Sequence, residues 1–213
     1  MKKYETIIFD LDGVICHTDK YHFAAWKGLA DELGIYFDEK INNRLRGVSR
    51  MESLDIILEN YQGELTKEQK LQYAEKKNEI YCDLLRNMNM SDLNNEVRQT
   101  LDILRQRGYL LAIGSSSKNA MFILKQLGLE NYFDAISDGN NITMSKPDPE
   151  VFIKASRFVN KTPEKCLVVE DAKAGLEAAH SGGMNCAAIG DAVNCNMADY
   201  NLSSFSDLLD ICE

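Results

Sequence analysis

Four short clusters in this chain combine residue types and spacings suited to moving a phosphoryl group. The first is Phe9-Asp10-Leu11-Asp12-Gly13. On an extended backbone two carboxylates two residues apart point the same way, and a glycine directly after them lets the chain turn sharply. One acid of such a pair can attack phosphorus while the other handles the proton of the leaving or attacking oxygen. A turn carrying two solvated acids has the same sequence, so the motif alone does not separate the two readings. The second cluster is Glu170-Asp171. With Asp10 these acids would offer the oxygen ligands that Mg²⁺ prefers, and Asp171 is also placed to cap a helix starting at Ala172. The third is Ser145-Lys146-Pro147-Asp148-Pro149. Pro147 disfavours helix at Lys146, Pro149 suits a first helical turn, and a lysine on so stiff a loop can neutralise phosphoryl charge. Taken alone, Lys146 reads as a surface residue, because lysines are mostly exposed. The fourth, Gly114-Ser115-Ser116-Ser117-Lys118-Asn119, reads either as a phosphate cradle at a helix start or as a polar loop with a capping serine.

These clusters need elements to hold them. Short apolar runs at Thr6 to Phe9, Leu110 to Ile113, Ala135 to Ile136, Cys166 to Val169 and Cys186 to Ile189 predict buried strands. Helical patterns lie between the later ones, at about Ser91 to Arg107, Asn119 to Leu127, Pro149 to Val159 and Ala172 to Ser181, with Gly128 and Gly182 where C-caps fall. Alternation of this kind predicts an α/β class with a parallel sheet covered on both faces. From Cys16 to Asn87 no strand pattern occurs. Three or four amphipathic helices are expected there, including Tyr21 to Leu33, Met51 to Tyr61 and Lys67 to Leu85. The expected organisation is a discontinuous core, 1–15 and 88–213, carrying a helical cap, 16–87, with linkers near 14–18 and 87–92. A length of 213 residues suits one domain with an insertion.

The net charge is −9 and no basic patch is visible, which argues against a nucleic-acid partner. If the substrate is a phosphate, the site must supply its own local cations. The six cysteines include no Cys-x-x-Cys pair, so spacing suggests neither a zinc site nor a disulfide framework, and reduced thiols in a cytoplasmic protein are expected. No apolar leader and no membrane span are read. A monomer is the default expectation, since no exposed heptad is legible.

The order of the four clusters resembles the haloacid dehalogenase superfamily, whose pattern is an N-terminal Asp-x-Asp, then Ser or Thr after the second core strand, then Lys, then paired acids. A narrower resemblance, to the β-phosphoglucomutase branch of that superfamily, lies in Thr18-Asp19-Lys20-Tyr21-His22, Ala25-Trp26, Arg46-Gly47-Val48-Ser49-Arg50, Ser53-Leu54, Lys77-Asn78, Ser117-Lys118-Asn119 and Tyr132-Phe133-Asp134-Ala135-Ile136. It runs to about Gly190 and fades beyond. The resemblance implies a Rossmann-like core with an inserted helical-bundle cap. It implies that Asp10 is a nucleophile forming an aspartyl phosphate and that Asp12 is the general acid and base. It implies an Mg²⁺ site of Asp10, the Asp12 backbone carbonyl, Glu170 and Asp171. Ser115 and Lys146 would hold the transferring phosphoryl. Gly47, Val48, Arg50, Ser53, Lys77, Ser117, Lys118 and Asn119 would bind the rest of a sugar phosphate. Thr18 would lie near the hinge, and His22 with Lys77 would hold Asp12 poised when the cap shuts. The implied reaction interconverts β-D-glucose 1-phosphate and glucose 6-phosphate, with β-glucose 1,6-bisphosphate as intermediate and activator. A sugar- or polyol-phosphate phosphatase of the same superfamily is the alternative.

Four positions depart from the branch: Arg46 for a usual lysine, Ser116 for a small apolar residue, Asp148 beside the lysine loop, and Ala172 where serine is usual. None removes a catalytic group, and together they leave the sugar preference open. Trp26 reads as packing, and His17 and His180 read as structural.

Overall fold

The computed structural model describes residues 2–45 and 48–213. Six strands, Thr6–Phe9 (β1), Leu110–Gly114 (β2), Ala135–Ser137 (β3), Cys166–Glu170 (β4), Asn185–Ala188 (β5) and Tyr200–Asn201 (β6), form one sheet in the order β3-β2-β1-β4-β5-β6. Every pairing is parallel. The strands read as unbroken apolar runs because both sheet faces are covered. Ile7 and Phe9 of β1 join Leu111, Ile113, Leu167 and Val169 on one face, while Ile8 joins Ala112, Val168 and Cys186 on the other. Asn95–Gln106 (α5), Ala120–Gln126 (α6) and Leu208–Ile211 (α9) pack on the first face, and Glu150–Phe158 (α7) and Lys173–Ser181 (α8) on the second.

Between β1 and α5 the described residues hold helices and no strand: Asp19–Glu32 (α1), Glu39–Asn43 (α2), Arg50–Ile57 (α3) and Lys67–Leu85 (α4). Ser49 and Thr66 each form a reciprocal capping box at the starts of α3 and α4, which satisfies two otherwise orphaned backbone amides apiece. Trp26, Leu29, Leu54, Ile57 and Ala74 form a separate buried cluster for this segment. Ala25, Tyr81 and Leu85 join the main core instead, so α1 and α4 each carry residues in both clusters.

The strand expectations hold to within a residue at each end. β6 was not expected, because two residues flanked by loop offer no periodicity. The expected helix from Ser91 begins later: Leu93 is extended and Asn94 caps α5 by accepting from the Glu96 amide at 2.8 Å. The helix expected to reach Tyr61 ends at Ile57 and tightens into a 3₁₀ turn. Among the described residues no helix is long and apolar enough to cross a membrane.

The close approach of β2 to α7 sets a test of packing. A Cβ on Gly114 would sit 2.6 Å from the Phe152 ring and 3.2 Å from Ile8, whereas one on Gly28, exposed in α1, would meet nothing. Gly114→Ala is expected to destabilise by about 1–3 kcal/mol through overpacking. Gly28→Ala should stabilise by up to about 1 kcal/mol through helix propensity. Urea unfolding of the two variants beside wild type checks the opposite signs.

Candidate functional site

The strand order reverses at β1, with β2 on one side and β4 on the other. In parallel α/β sheets this reversal opens a crevice beyond the carboxyl ends of the strands. Phe9 is level with both Ile113 and Val169, so Asp10, Ser115 and Glu170 all emerge along that one edge. The Asp10 amide donates to the Val169 carbonyl at 2.9 Å, continuing the ladder one residue past β1. The chain then turns at Gly13, whose φ is +91° and where a Cβ would collide with the Asp171 carboxylate. Glycine here both permits the left-handed backbone and lets Asp171 lie against the turn.

Lys146 is the side chain around which the edge is organised. It is 1 % exposed, contrary to the surface position its residue type suggests. Its ammonium donates to Asp10 Oδ1 and, at 2.5 Å, to Glu170 Oε1, and it lies 4.7 Å from the Phe152 ring centroid. Burial alone would lower the pKa of this lysine. Asp10 and then Glu170 outweigh burial and hold it above its ordinary value. Burial likewise raises Glu170, against the opposing charge of Lys146. The other Glu170 oxygen accepts from the amides of Asp171 and Ala172, each at 2.9 Å. The helix cap expected of Asp171 is therefore absent. Ala172 occupies the N-cap of α8 without a side-chain bond, and the Glu170 carboxylate takes up the amides ahead of it.

Asp10, Glu170 and Asp171 each present a carboxylate oxygen within 4.8 Å of the others. An all-oxygen donor set of this kind fits Mg²⁺. The Asp12 side chain is not in that set. It accepts from the Thr18 hydroxyl, and burial, followed by the Asp10 charge, raises its carboxyl to about 7, with Thr18 opposing. A carboxyl so tuned is populated in both protonation states near neutrality. Ser115 is buried, and its Oγ accepts from the Ser117 amide at 3.1 Å.

The crevice continues into a cavity of about 440 Å³ lined from both halves of the chain. Asp10, Asp12, Ser115, Lys146, Glu170 and Asp171 line it from the strand edge. His22, Val48, Arg50, Ser53 and Lys77 line it from the helical segment, and Ser117, Lys118 and Asn119 from the loop before α6. Thr18 is fully buried behind Asp12. Gly47 and Arg46 lie outside the described residues.

The structure pairs His22 with Lys77 (Nδ1 to Nζ, 2.9 Å) and Thr18 with Asp12. The pairs are joined through the backbone, where the His22 amide donates to the Thr18 carbonyl at 3.0 Å. His22 stacks on Tyr81 at 4.0 Å between centroids. Burial, then Lys77 and Arg50, hold its pKa well below the usual imidazole value, so the ring is neutral. Trp26 serves twice, in the core of the helical segment and on the cavity wall, where Lys77 Nζ lies 4.7 Å from its ring centroid.

Arg50 donates to Asn78 Oδ1 at 2.8 Å, and Asn119 donates to the same oxygen at 2.9 Å. One amide of α4 thus bridges α3 to the loop before α6. The bridging role of Asn78 and the wall positions of Glu75 and Tyr81 were not read from sequence. Asn78 entered only within the quoted Lys77-Asn78 pair, and Tyr81 had only the helical spacing of residues 74, 77, 78 and 81 along one face of α4 as a signal. Ser116 Oγ is buried with no hydrogen-bond partner and its residue lines the cavity, leaving room for a polar ligand atom.

Lys77 gives this geometry a pH signature. Burial, then the Arg50 charge, lower its pKa to about 7, whereas the unfolded lysine titrates near its ordinary value. Above pH 7 the unfolded chain therefore holds the extra proton, and stability rises with pH until the unfolded lysine also titrates. Relative to Lys77→Met, the wild type is expected to gain about 1.4 kcal/mol per pH unit between roughly pH 7.5 and 9.5. Parallel urea titrations of the two proteins measure it.

A family model for haloacid dehalogenase-like hydrolases matches residues 4–183. β-Phosphoglucomutase of Bacillus subtilis (strain 168) is 36% identical over 206 residues, covering 96% of this chain and 91% of that protein. A phosphorylated carbohydrates phosphatase of Thermotoga maritima is 33% identical, covering 84% of this chain and 82% of its own length. The crystal structure of β-phosphoglucomutase from Clostridium difficile superimposes with a TM-score of 0.91 at 37% identity, over 96% of this chain and 93% of that one. Relatives similar at this level include both a mutase and a phosphatase, and the chain belongs to the haloacid dehalogenase-like hydrolase family.

Proposed function

We propose that this protein is a phosphomutase of the β-phosphoglucomutase type, interconverting β-D-glucose 1-phosphate and glucose 6-phosphate. The observation that carries the reading is the shared cavity. A nucleophile-competent carboxylate at the strand edge is roofed by helices whose own polar groups, Arg50, Ser53 and Lys77, face the same space. A phosphatase needs water at Asp10, whereas a mutase needs a sugar hydroxyl there and water kept away. A cavity of about 440 Å³ is within the range of small-ligand sites and suits a sugar bisphosphate better than a lone phosphate.

In this reading residues 16–87 act as a cap on a core of 1–15 and 88–213. Asp10 attacks phosphorus, and the bond from phosphorus to the sugar oxygen breaks as the bond to the Asp10 carboxylate forms. Asp12 gives its proton to the departing sugar oxygen. Asp12 then takes a proton from the sugar hydroxyl that attacks the aspartyl phosphate, so each half-reaction returns the other's proton. Lys146 balances charge on the transferring group, and Ser115 donates its hydroxyl proton to it. Arg50, with Lys118 and Asn119, holds the second phosphate, where a guanidinium fork can bind in a bidentate manner. Asp10, Glu170 and Asp171, with the Asp12 backbone carbonyl, would hold Mg²⁺, which supplies positive charge against the developing phosphoryl charge. β-Glucose 1,6-bisphosphate primes the enzyme by giving one phosphoryl to Asp10, and as the intermediate it turns end over end to present its other phosphate to Asp10.

A coupled assay with β-glucose 1-phosphate, Mg²⁺ and a trace of the bisphosphate tests the reading. Wild type should form glucose 6-phosphate and release phosphate only slowly. Rapid phosphate release from both sugar phosphates would instead assign a phosphatase. Asp10→Asn should lose turnover by roughly 10⁵-fold or more, as expected for a covalent nucleophile. His22→Ala separates the two acceptors. It is expected to slow transfer to sugar at least tenfold more than hydrolysis of the phosphoenzyme, and equal losses would remove His22 from any mutase-specific role.

A further inference from the structure

A second group of ligand-type side chains lies away from the phosphoryl cavity. His180 closes the last turn of α8, Cys186 is on β5, and Asp199 immediately precedes β6. None of them lines the cavity. His180 Nε2 is 3.2 Å from Asp199 Oδ2 and 3.4 Å from Cys186 Sγ, and all three atoms lie within 4.8 Å of one another.

Hydrogen bonding accounts poorly for this convergence. An imidazole nitrogen has one in-plane direction for a proton or a lone pair, yet Nε2 faces two partners, of which the carboxylate oxygen is at the long end of N–H···O distance. A single ion at the centre would satisfy all three atoms. In tetrahedral zinc sites, bonds of about 2.0–2.3 Å place neighbouring ligand atoms roughly 3.3–3.8 Å apart; the 3.4 Å from Nε2 to Sγ falls in that range and the 3.2 Å to Asp199 Oδ2 just below it. The ligands are also held in place. The Cys186 amide donates to Asp199 Oδ2 at 2.8 Å, and the Asp199 amide donates back to the Cys186 carbonyl at 3.0 Å. Orientation of metal ligands by such backbone bonds is what second-layer contacts provide. Cys186 is fully buried, while the side chains of His180 and Asp199 retain 39% and 34% exposure. An ion therefore has an entry side and a closed side.

We infer that His180, Cys186 and Asp199 form a three-ligand site for a borderline divalent d-block cation of the Zn²⁺ class, completed by water. A thiolate, a carboxylate and a neutral imidazole carry two negative charges, which a divalent ion balances. Binding replaces the thiol proton, which leaves to solvent, and no oxidant or reductant is involved. Burial raises the free thiol to about 11, so the proton is retained until a cation displaces it. The nitrogen–sulfur–oxygen set prefers Zn²⁺ to Mg²⁺, which distinguishes it from the carboxylate cluster at the strand edge. A bound ion would fasten the end of α8, β5 and the approach to β6 to one another. The absence of any zinc-like spacing in the sequence does not bear on it, since the ligands come from three separate elements.

Cobalt(II) is the probe, added to the full chain under non-thiol reductant with excess Mg²⁺ occupying the carboxylate site. One equivalent should produce a thiolate-to-cobalt charge-transfer band in the near ultraviolet and the visible bands of four-coordinate Co²⁺, and one equivalent of Zn²⁺ should bleach both. Cys186→Ala should abolish the thiolate band. His180→Gln and Asp199→Asn, which keep side-chain size, should each weaken Co²⁺ binding roughly tenfold or more, and Cys195→Ser, a nearby thiol, should leave it unchanged. Zn²⁺ should raise the thermal midpoint of wild type and not that of His180→Gln. A missing band, a band surviving Cys186→Ala, or affinity unaltered by both His180→Gln and Asp199→Asn would overturn the site.

Discussion

A buried ammonium between two buried carboxylates is the constraint from which the rest of the site follows. Lys146 reaches the carboxyl edge of the sheet from the loop before α7 and holds Asp10 and Glu170 together. The pairing matters at that depth, because desolvation of an unpaired carboxylate costs several kcal/mol. The triad carries a net charge of −1, and Asp171 adds a further acid at its rim. A site of this composition attracts a divalent cation and, through that cation and Lys146, a phosphate dianion. Removing Lys146 would leave two carboxylates facing each other, so its packing under Phe152 is as much a requirement of the site as the acids are. A chain with net charge −9 can accommodate anionic ligands because the buried lysines among its described residues, Lys77 and Lys146, both line the cavity.

The helical segment repeats the same logic from the other side. Lys77 is buried beside Trp26, Tyr81 and a neutral His22, where ring faces partly replace the lost hydration. Arg50 is half-covered and shares the Asn78 amide oxygen with Asn119. That oxygen accepts from both halves of the chain, so an anion arriving at Arg50 and Asn119 would compete with Asn78 for the same donors. On the proposed function, a phosphate at Arg50 and Asn119 would replace contacts that here link the two halves of the chain. Cap closure and ligand binding would then be linked through shared donors rather than through distant coupling.

The parts of this molecule that were legible in the sequence are those set by local rules. Continuous apolar runs marked five strands because a doubly covered parallel sheet leaves no polar face. Asp10, Ser115 and Glu170 could be placed because each ends or directly follows a strand, and the sheet brings strand ends together. What could not be read depends on side-chain direction across separate elements. Lys146 looked like an ordinary surface lysine, since nothing local to Ser145–Pro149 signals two carboxylate partners contributed by β1 and β4. Asp171 looked like a helix cap, but the adjacent Glu170 took the amides, a competition between neighbours that residue type alone does not decide. Asn78 lay within a quoted motif, yet its bridging position follows only from how α4 is rotated against the loop before α6.

The same reasoning explains why two sites of different chemical character can coexist on one sheet. The carboxyl edge gathers hard oxygen donors because consecutive strand ends there carry Asp or Glu, and loops beyond them are free to supply lysine and serine. The His180, Cys186 and Asp199 group lies lower on the sheet, on the α8 face. A strand residue there must be small or apolar to pack, and cysteine meets that demand as a buried near-hydrophobe. Its sulfur becomes a ligand only because the helix end and the β6 approach converge over it. Backbone bonds between Cys186 and Asp199 would hold that arrangement with or without an ion. Fold alone thus sorts the donors, placing oxygen where chains leave strands and sulfur where strands pack. Selectivity between a hard and a borderline cation then needs no further device.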